Sequence, residues 1–155
     1  MKQAPHLARA QARMAPGVIT MDGFLGTDSR DLLEILQDDE GAVRRLNLTH
    51  GQLADALQRL TDLAIGAFGA PIIEGVYEVC ACEAMGVLPC PFGEPGLHTK
   101  AVIEAKRIDT RQTLNWTALH VHLIREHGFY EGRGSPFRLD PGILADFLGL
   151  VPPES

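Results

Sequence analysis

Cys80, Cys82, Cys90 and His98 are the residues whose types and spacing point most directly to chemistry. Cys80-Ala81-Cys82 falls in a stretch, 74 to 83, that alternates like a strand, so the first two thiols share one side of it. Cys90 stands between Pro89 and Pro91, and a loop stiffened in that way can swing a third thiol over the first two. His98 follows eight residues later, with His120 or His122 as further candidates to complete the set. Three thiolates and one imidazole form a legitimate tetrahedral zinc set. The pattern lacks the paired C-x-x-C spacing of most structural zinc sites, and cysteine is often fully buried as a small hydrophobe. On the sequence alone that core role outweighs zinc for the three cysteines.

A second group is His120-Val121-His122 with His127. Steps of 100° place Trp116, Leu119, His120, Leu123, Ile124 and His127 on one apolar arc, which leaves His122 nearer solvent with Arg125 and Glu126. No two of these histidines are four apart, so one helix is not expected to chelate a metal as H-E-x-x-H does. Buried imidazoles there are expected to bond to backbone carbonyls.

The third group surrounds the loop from Gly128 to Pro136. Its glycines let a backbone approach a ligand. Arg133 and Arg138 are forked anion donors, and Tyr130 and His122 complete a candidate binding set for a small anionic molecule. No helix-opening Gly-Lys-Ser/Thr follows, so it is not a phosphate loop of the usual kind. No G-x-S-x-G elbow is present, and a Cys90 nucleophile would lack an orienting partner for its histidine.

The elements that must position these groups are legible in the periodicity. Asp28 or Ser29 offers a cap for a helix over 30 to 39, with Gly41 as a break and Val43, Leu46 and Leu48 extending its apolar surface through a short second helix. Thr49 opens the clearest helix, 50 to 68, where Leu53, Leu57, Leu60, Ala64 and Phe68 recur on one face. Strands are expected at 74 to 83, 100 to 108 and 113 to 116, the last two as an antiparallel hairpin, with a short strand or anchor at Val18 to Met21. In the first strand Val76, Cys80 and Cys82 share one face and Tyr77, Val79 and Ala81 the other, and both faces are expected to be largely buried. Thr117 caps a helix to His127 that ends at Gly128. Asp140-Pro141 opens a last helix, 141 to 149, with Ile143, Leu144, Phe147 and Leu148 inward. The order of elements predicts an α+β fold, an antiparallel sheet of three or more strands covered by about four helices.

A chain of 155 residues fits one compact unit, here 17 to 150, with 1 to 16 as a flexible leader and 151 to 155 as a tail. Met14 and Met21 are both plausible starts, so residues 1 to 20 are a questionable part of the native protein. The content of 45% hydrophobic and 22% charged residues excludes a mainly disordered or collagen-like chain. No apolar stretch approaches the about 20 residues of a membrane span. A formal charge of -6 argues against nucleic acid or anionic lipid as a partner. The charge is uneven: nine acids against four arginines from Gly17 to Asp62, seven bases against four acids from Lys100 to Arg138. The two regions are expected to face one another within the chain or across a homodimer.

An odd number of cysteines in a chain of this size points to a reducing cytoplasm. The expected function is a cytoplasmic binding or regulatory module with zinc as its candidate metal. The alternative is an enzyme acting on a small anionic substrate through a Cys/His/Arg cleft.

Overall fold

Alternation along Tyr77-Val79-Ala81 and Ile103-Ala105 dictates a sheet with one apolar face, and the chain builds it as an antiparallel meander. The computed structural model describes residues 3–82 and 86–151. Glu83 of the expected first strand, residues 1 and 2 of the leader and residues 152 to 155 of the tail lie outside the described residues.

In chain order the elements are α1 Pro5–Arg13, α2 Leu32–Arg45, α3 His50–Gly66, β1 Ile72–Glu74, β2 Tyr77–Cys82, β3 Val87–Pro89, β4 Leu97–Thr99, β5 Val102–Arg107, β6 Thr113–Thr117, α4 Ala118–His127 and α5 Pro141–Phe147. The main sheet runs β1-β2-β5-β6, all antiparallel, with Val79 opposite Ala105 and Ile103 opposite Trp116. β3 and β4 form a separate two-stranded hairpin, Leu88 opposite His98. This is the expected α+β fold. Among the described residues, none of the helices is long and apolar enough to cross a membrane.

Two apolar clusters hold the layers together. One lies under the sheet, where Leu57, Leu60, Val79, Ile103, Trp116, Leu144 and Phe147 join α3, α5 and the strands. The Trp116 indole N–H donates to Thr61 Oγ1 at 2.7 Å inside it. The other gathers Met14, Phe24, Leu32, Ile35, Cys90, Leu119, Leu123 and Phe129, so it ties α1 and α2 to the outer side of α4.

Several expectations change here. Within the described part of the expected leader, Pro5–Arg13 is a helix, and Ala10 and Met14 are buried. Its neighbouring glutamines replace the expected side-chain cap of α2, because the Leu32 N–H donates to Gln11 Oε1 and the Leu33 N–H to Gln3 Oε1. Asp28 instead accepts from the Arg30 guanidinium and the Arg133 backbone N–H. Gly41 does not break α2, which runs through it to Arg45 and turns at Asn47 with φ 59°.

Val18 to Met21 is a turn rather than a strand, closed by a bond from the Gly17 N–H to Thr20 O. Only one face of β2 is buried: Tyr77, Val79 and Ala81 are inward, whereas Cys80 is partly exposed and Cys82 exposed. Ile143 is exposed rather than inward. The charge asymmetry resolves within the chain: Asp38 pairs with Arg133, Asp39 with Arg138 and Asp55 with Arg125.

Candidate metal centre

Cys90 leaves β3 between two prolines and is 3% exposed, at the edge of the second apolar cluster. The Gly93 N–H donates to Cys90 O at 3.0 Å, closing a turn that presents Glu94 back toward the thiol. Gly93 has φ 89°, and a Cβ there would come within 3.0 Å of Arg13 Nη2. Arg13 Nε donates to Pro91 O at 2.6 Å, so α1 holds this loop from outside.

α4 supplies the other side. Thr117 and the ring of His120 form its capping box, and the helix ends at Gly128 in the left-handed conformation, φ 61°. A Cβ at Gly128 would lie 2.6 Å from His50 Nε2, so this close approach requires glycine. Within the last two turns before that end, His122 and His127 both face the Cys90 loop.

Cys90 Sγ, Glu94, His122 and His127 each place one donor atom within 4.8 Å of all the others. Cys90 Sγ lies 3.7 Å from His127 Nε2, and Glu94 Oε1 lies 3.8 Å from His122 Nε2. Glu94 also contacts His127 Nε2 directly. The edges of a tetrahedron of sulfur, nitrogen and oxygen around zinc are about 3.4 to 3.6 Å, from the usual bond lengths. The Cys90–His127 and Glu94–His122 edges are therefore near the spacing a metal would impose, while the direct Glu94–His127 contact is shorter and would have to open.

His122 Nε2 is fully buried without a hydrogen-bond partner among the described residues. An orphaned buried nitrogen of this kind costs free energy unless something ligates it. The Phe92 ring stacks on His127 at 4.0 Å and 8°, fixing which edge of that imidazole faces the cluster. Burial pushes the Cys90 thiol up, with the backbone N–H groups of Phe92 and Glu94 pulling the other way. Burial pushes His127 down, toward the neutral imidazole that ligates metals.

The two histidines stand closer together than their spacing suggests. Residues five apart on a helix differ by about 140° in direction, too far for a chelate on a rigid cylinder. His127 is the last helical residue, and its stack on Phe92 turns the ring back, so the two imidazoles stand 5.6 Å apart at 71°. His122 is accordingly half-buried rather than turned to solvent with Arg125.

Of the residues expected to ligate metal, Cys90 is in the cluster and His98 beside it, with its ring 4.6 Å from that of His122. Cys80 and Cys82 are placed elsewhere, on the open face of β2, where Cys80 Sγ donates to Gly69 O. Glu94 and the pairing of His127 with His122 lie outside the expected set. The signal for Glu94 is an acid in a stiff Cys-Pro-Phe-Gly-Glu-Pro loop. His120 makes a different network from the expected carbonyl bonds. Its Nδ1 accepts from the Thr117 N–H at 2.8 Å, so Nε2 carries the proton and donates to Glu131, which also accepts from Ser135 Oγ at 2.5 Å.

Arg133 and Arg138 line one depression with Asp38, Asp39 and Asp140, and neither Tyr130 nor His122 lines it with them. Arg138 is engaged bidentately by Asp39. The Tyr130 hydroxyl bonds to His50 Nδ1 at 2.7 Å, and His122 groups with Cys90, Glu94 and His127. Compared with known protein families, curated proteins and solved structures, the chain matches none.

Proposed function

We propose that the chain is a metal-dependent binding module in which Cys90, Glu94, His122 and His127 hold zinc as a structural staple. The observation that carries this reading is the buried, unpartnered His122 Nε2, 3.8 Å from Glu94, on a histidine grouped with a thiol, a carboxylate and a second imidazole whose donor atoms lie within 4.8 Å of one another. One sulfur, two nitrogens and one oxygen suit zinc better than the hard oxygen-seeking cations. The metal would pin the β3–β4 hairpin and its connecting loop, which have little apolar cover of their own, against α4. Val87 and Leu97 of that hairpin are exposed. A reducing, cytoplasmic setting belongs to the same reading, since the thiolate must stay free, and all three cysteines are unbridged.

The test is removal of the metal from the full chain with a chelator, followed by hydrogen exchange. Because the binding free energy of a structural metal is folding free energy, the melting temperature should fall and recover on adding zinc. Amide protection at residues 86–99 should be lost first. An unchanged melting temperature with unchanged exchange in the hairpin contradicts the proposal.

A further inference from the structure

The hairpin that the metal cluster holds also forms one wall of a second feature. An apolar cavity of about 490 Å³ lies between the 19–24 segment, the β3–β5 side and the first turn of α4, and none of the four metal donors lines it. Its volume falls within the about 300 to 1,000 Å³ of ordinary ligand sites. Ile19, Phe24, Leu88, Leu119 and Phe137 supply its apolar walls.

The polar groups at its floor are already satisfied. Both nitrogens of His120 are engaged, as are both oxygens of Glu131, so His120 offers the cavity its ring, which stacks on Phe137 at 5.0 Å. Over the cavity stands an apolar tip: Met21 lines it while remaining 88% exposed. That tip is anchored at both ends, by the Gly17 N–H to Thr20 O and by the Phe24 N–H to Met14 O. An exposed methionine held over an apolar hollow gains burial when something fills the hollow.

The charged groups at the rim are Lys100 on the sheet side and Asp22 on the loop side. Lys100 is seated: its backbone N–H donates to Gly86 O, and its stem passes where a Gly86 Cβ would lie 3.5 Å from Cδ. Among the described residues its ammonium makes no ion pair. Asp22 is the shorter side chain and sits on the exposed tip.

We infer that this cavity binds a small amphipathic carboxylate, its apolar body among Phe24, Leu119 and Phe137 and its anion on Lys100. The inference rests on the reading of the chain as a binding module and names that module's ligand class. The zinc donors stand apart from the cavity, so zinc content measured on the same sample keeps a failure here separate from a failure of the metal reading.

The test is calorimetric titration of the full chain with three probes that share one alkyl chain: decanoate, decanol and decylammonium. Decanoate should bind with one site per chain and tighter than the other two. Lys100→Gln should weaken decanoate about fivefold, as expected for a solvent-facing charge pair, and leave decanol unchanged. Met21→Glu, at an exposed position, should weaken decanol by removing the apolar cover and decanoate further by adding a like charge. Asp22→Asn should strengthen decanoate. Equal binding of the three probes, tighter decylammonium, no binding at all, or a Lys100→Gln protein that binds decanoate as before overturns the inference.

Discussion

Asp39→Asn should be among the most destabilising single substitutions in this chain, although it alters one charged atom group and no volume. Asp39 and Arg138 join α2 to the segment before α5 through two bonds, of 2.5 and 2.8 Å, with the side chains 5% and 14% exposed. Arg138 also donates to Glu131 O at 2.8 Å, so the guanidinium cannot swing into water without breaking a third bond. Asparagine removes the nearer, bidentate counter-charge, leaving Asp140 at 3.6 Å, and turns one acceptor into a donor facing a donor. Removing one partner of a buried pair costs about 3 to 5 kcal/mol, and the more distant, half-exposed Asp140 offsets little of that. For a chain of this length that is roughly 6 to 20 °C in melting temperature, taking about 2 to 4 °C per kcal/mol.

Glu40→Gln is the control, because its pair with Arg44 is 51% and 77% exposed and should be worth under about 1 kcal/mol. Urea unfolding at neutral pH measures both. Replacing the pair together, Asp39→Leu with Arg138→Met, should recover most of the loss, since it removes both buried charges. A cost below about 1 kcal/mol for Asp39→Asn would refute the structural role and return Arg138 to the set of ligand donors that its position beside a glycine-rich loop first suggests.

Three further outcomes follow from particular contacts. His122→Ala should abolish stoichiometric zinc uptake, whereas His98→Ala, which removes only a ring packed against His122, should weaken it by roughly 10-fold; zinc titration against a competing chelator separates them. Burial holds His50 below its ordinary value while Tyr130 bonds to its Nδ1, so the unfolded chain takes up the proton first and stability falls as pH drops below about 6.5. In chelator, the difference in urea midpoint between about pH 7.5 and about pH 5.5 should shrink in His50→Gln. Thr61→Val leaves the Trp116 indole N–H without its acceptor in the core and should cost about 1 to 3 kcal/mol, read by the fluorescence of the chain's one tryptophan.

Elements whose apolar residues repeat at a clear period are legible in the amino-acid order. α3, β2, β5, β6, α4 and α5 fall close to where the pattern puts them, and Thr49, Asp140 and Gly128 cap their helices as their side chains or conformations require. α1 is not legible because it buries little beyond Ala10 and Met14, and the link to α2 runs through glutamine side chains that leave no hydrophobic signature. The β3–β4 hairpin reads as loop because three residues per strand are too few for alternation to show.

The same limit governs the site. Strand alternation correctly puts Cys80 and Cys82 on one face, but which face is covered depends on where α3 packs, a nonlocal fact. Cys90 meets Glu94, His122 and His127 through the path of the 86–99 segment across α4, and the same segment supplies the phenylalanine that stacks on His127.

Zinc held by Cys90, Glu94, His122 and His127 is most directly tested by cobalt substitution of untagged, reduced full-length protein, with total metal measured by elemental analysis. The expected result is about one metal per chain in tetrahedral coordination and a thiolate-to-cobalt absorption band that disappears in Cys90→Ser. The same band should persist unchanged when Cys80 and Cys82 are both replaced by serine. A protein that takes up no cobalt or zinc, or one whose band survives Cys90→Ser and vanishes with Cys80 and Cys82, contradicts that site.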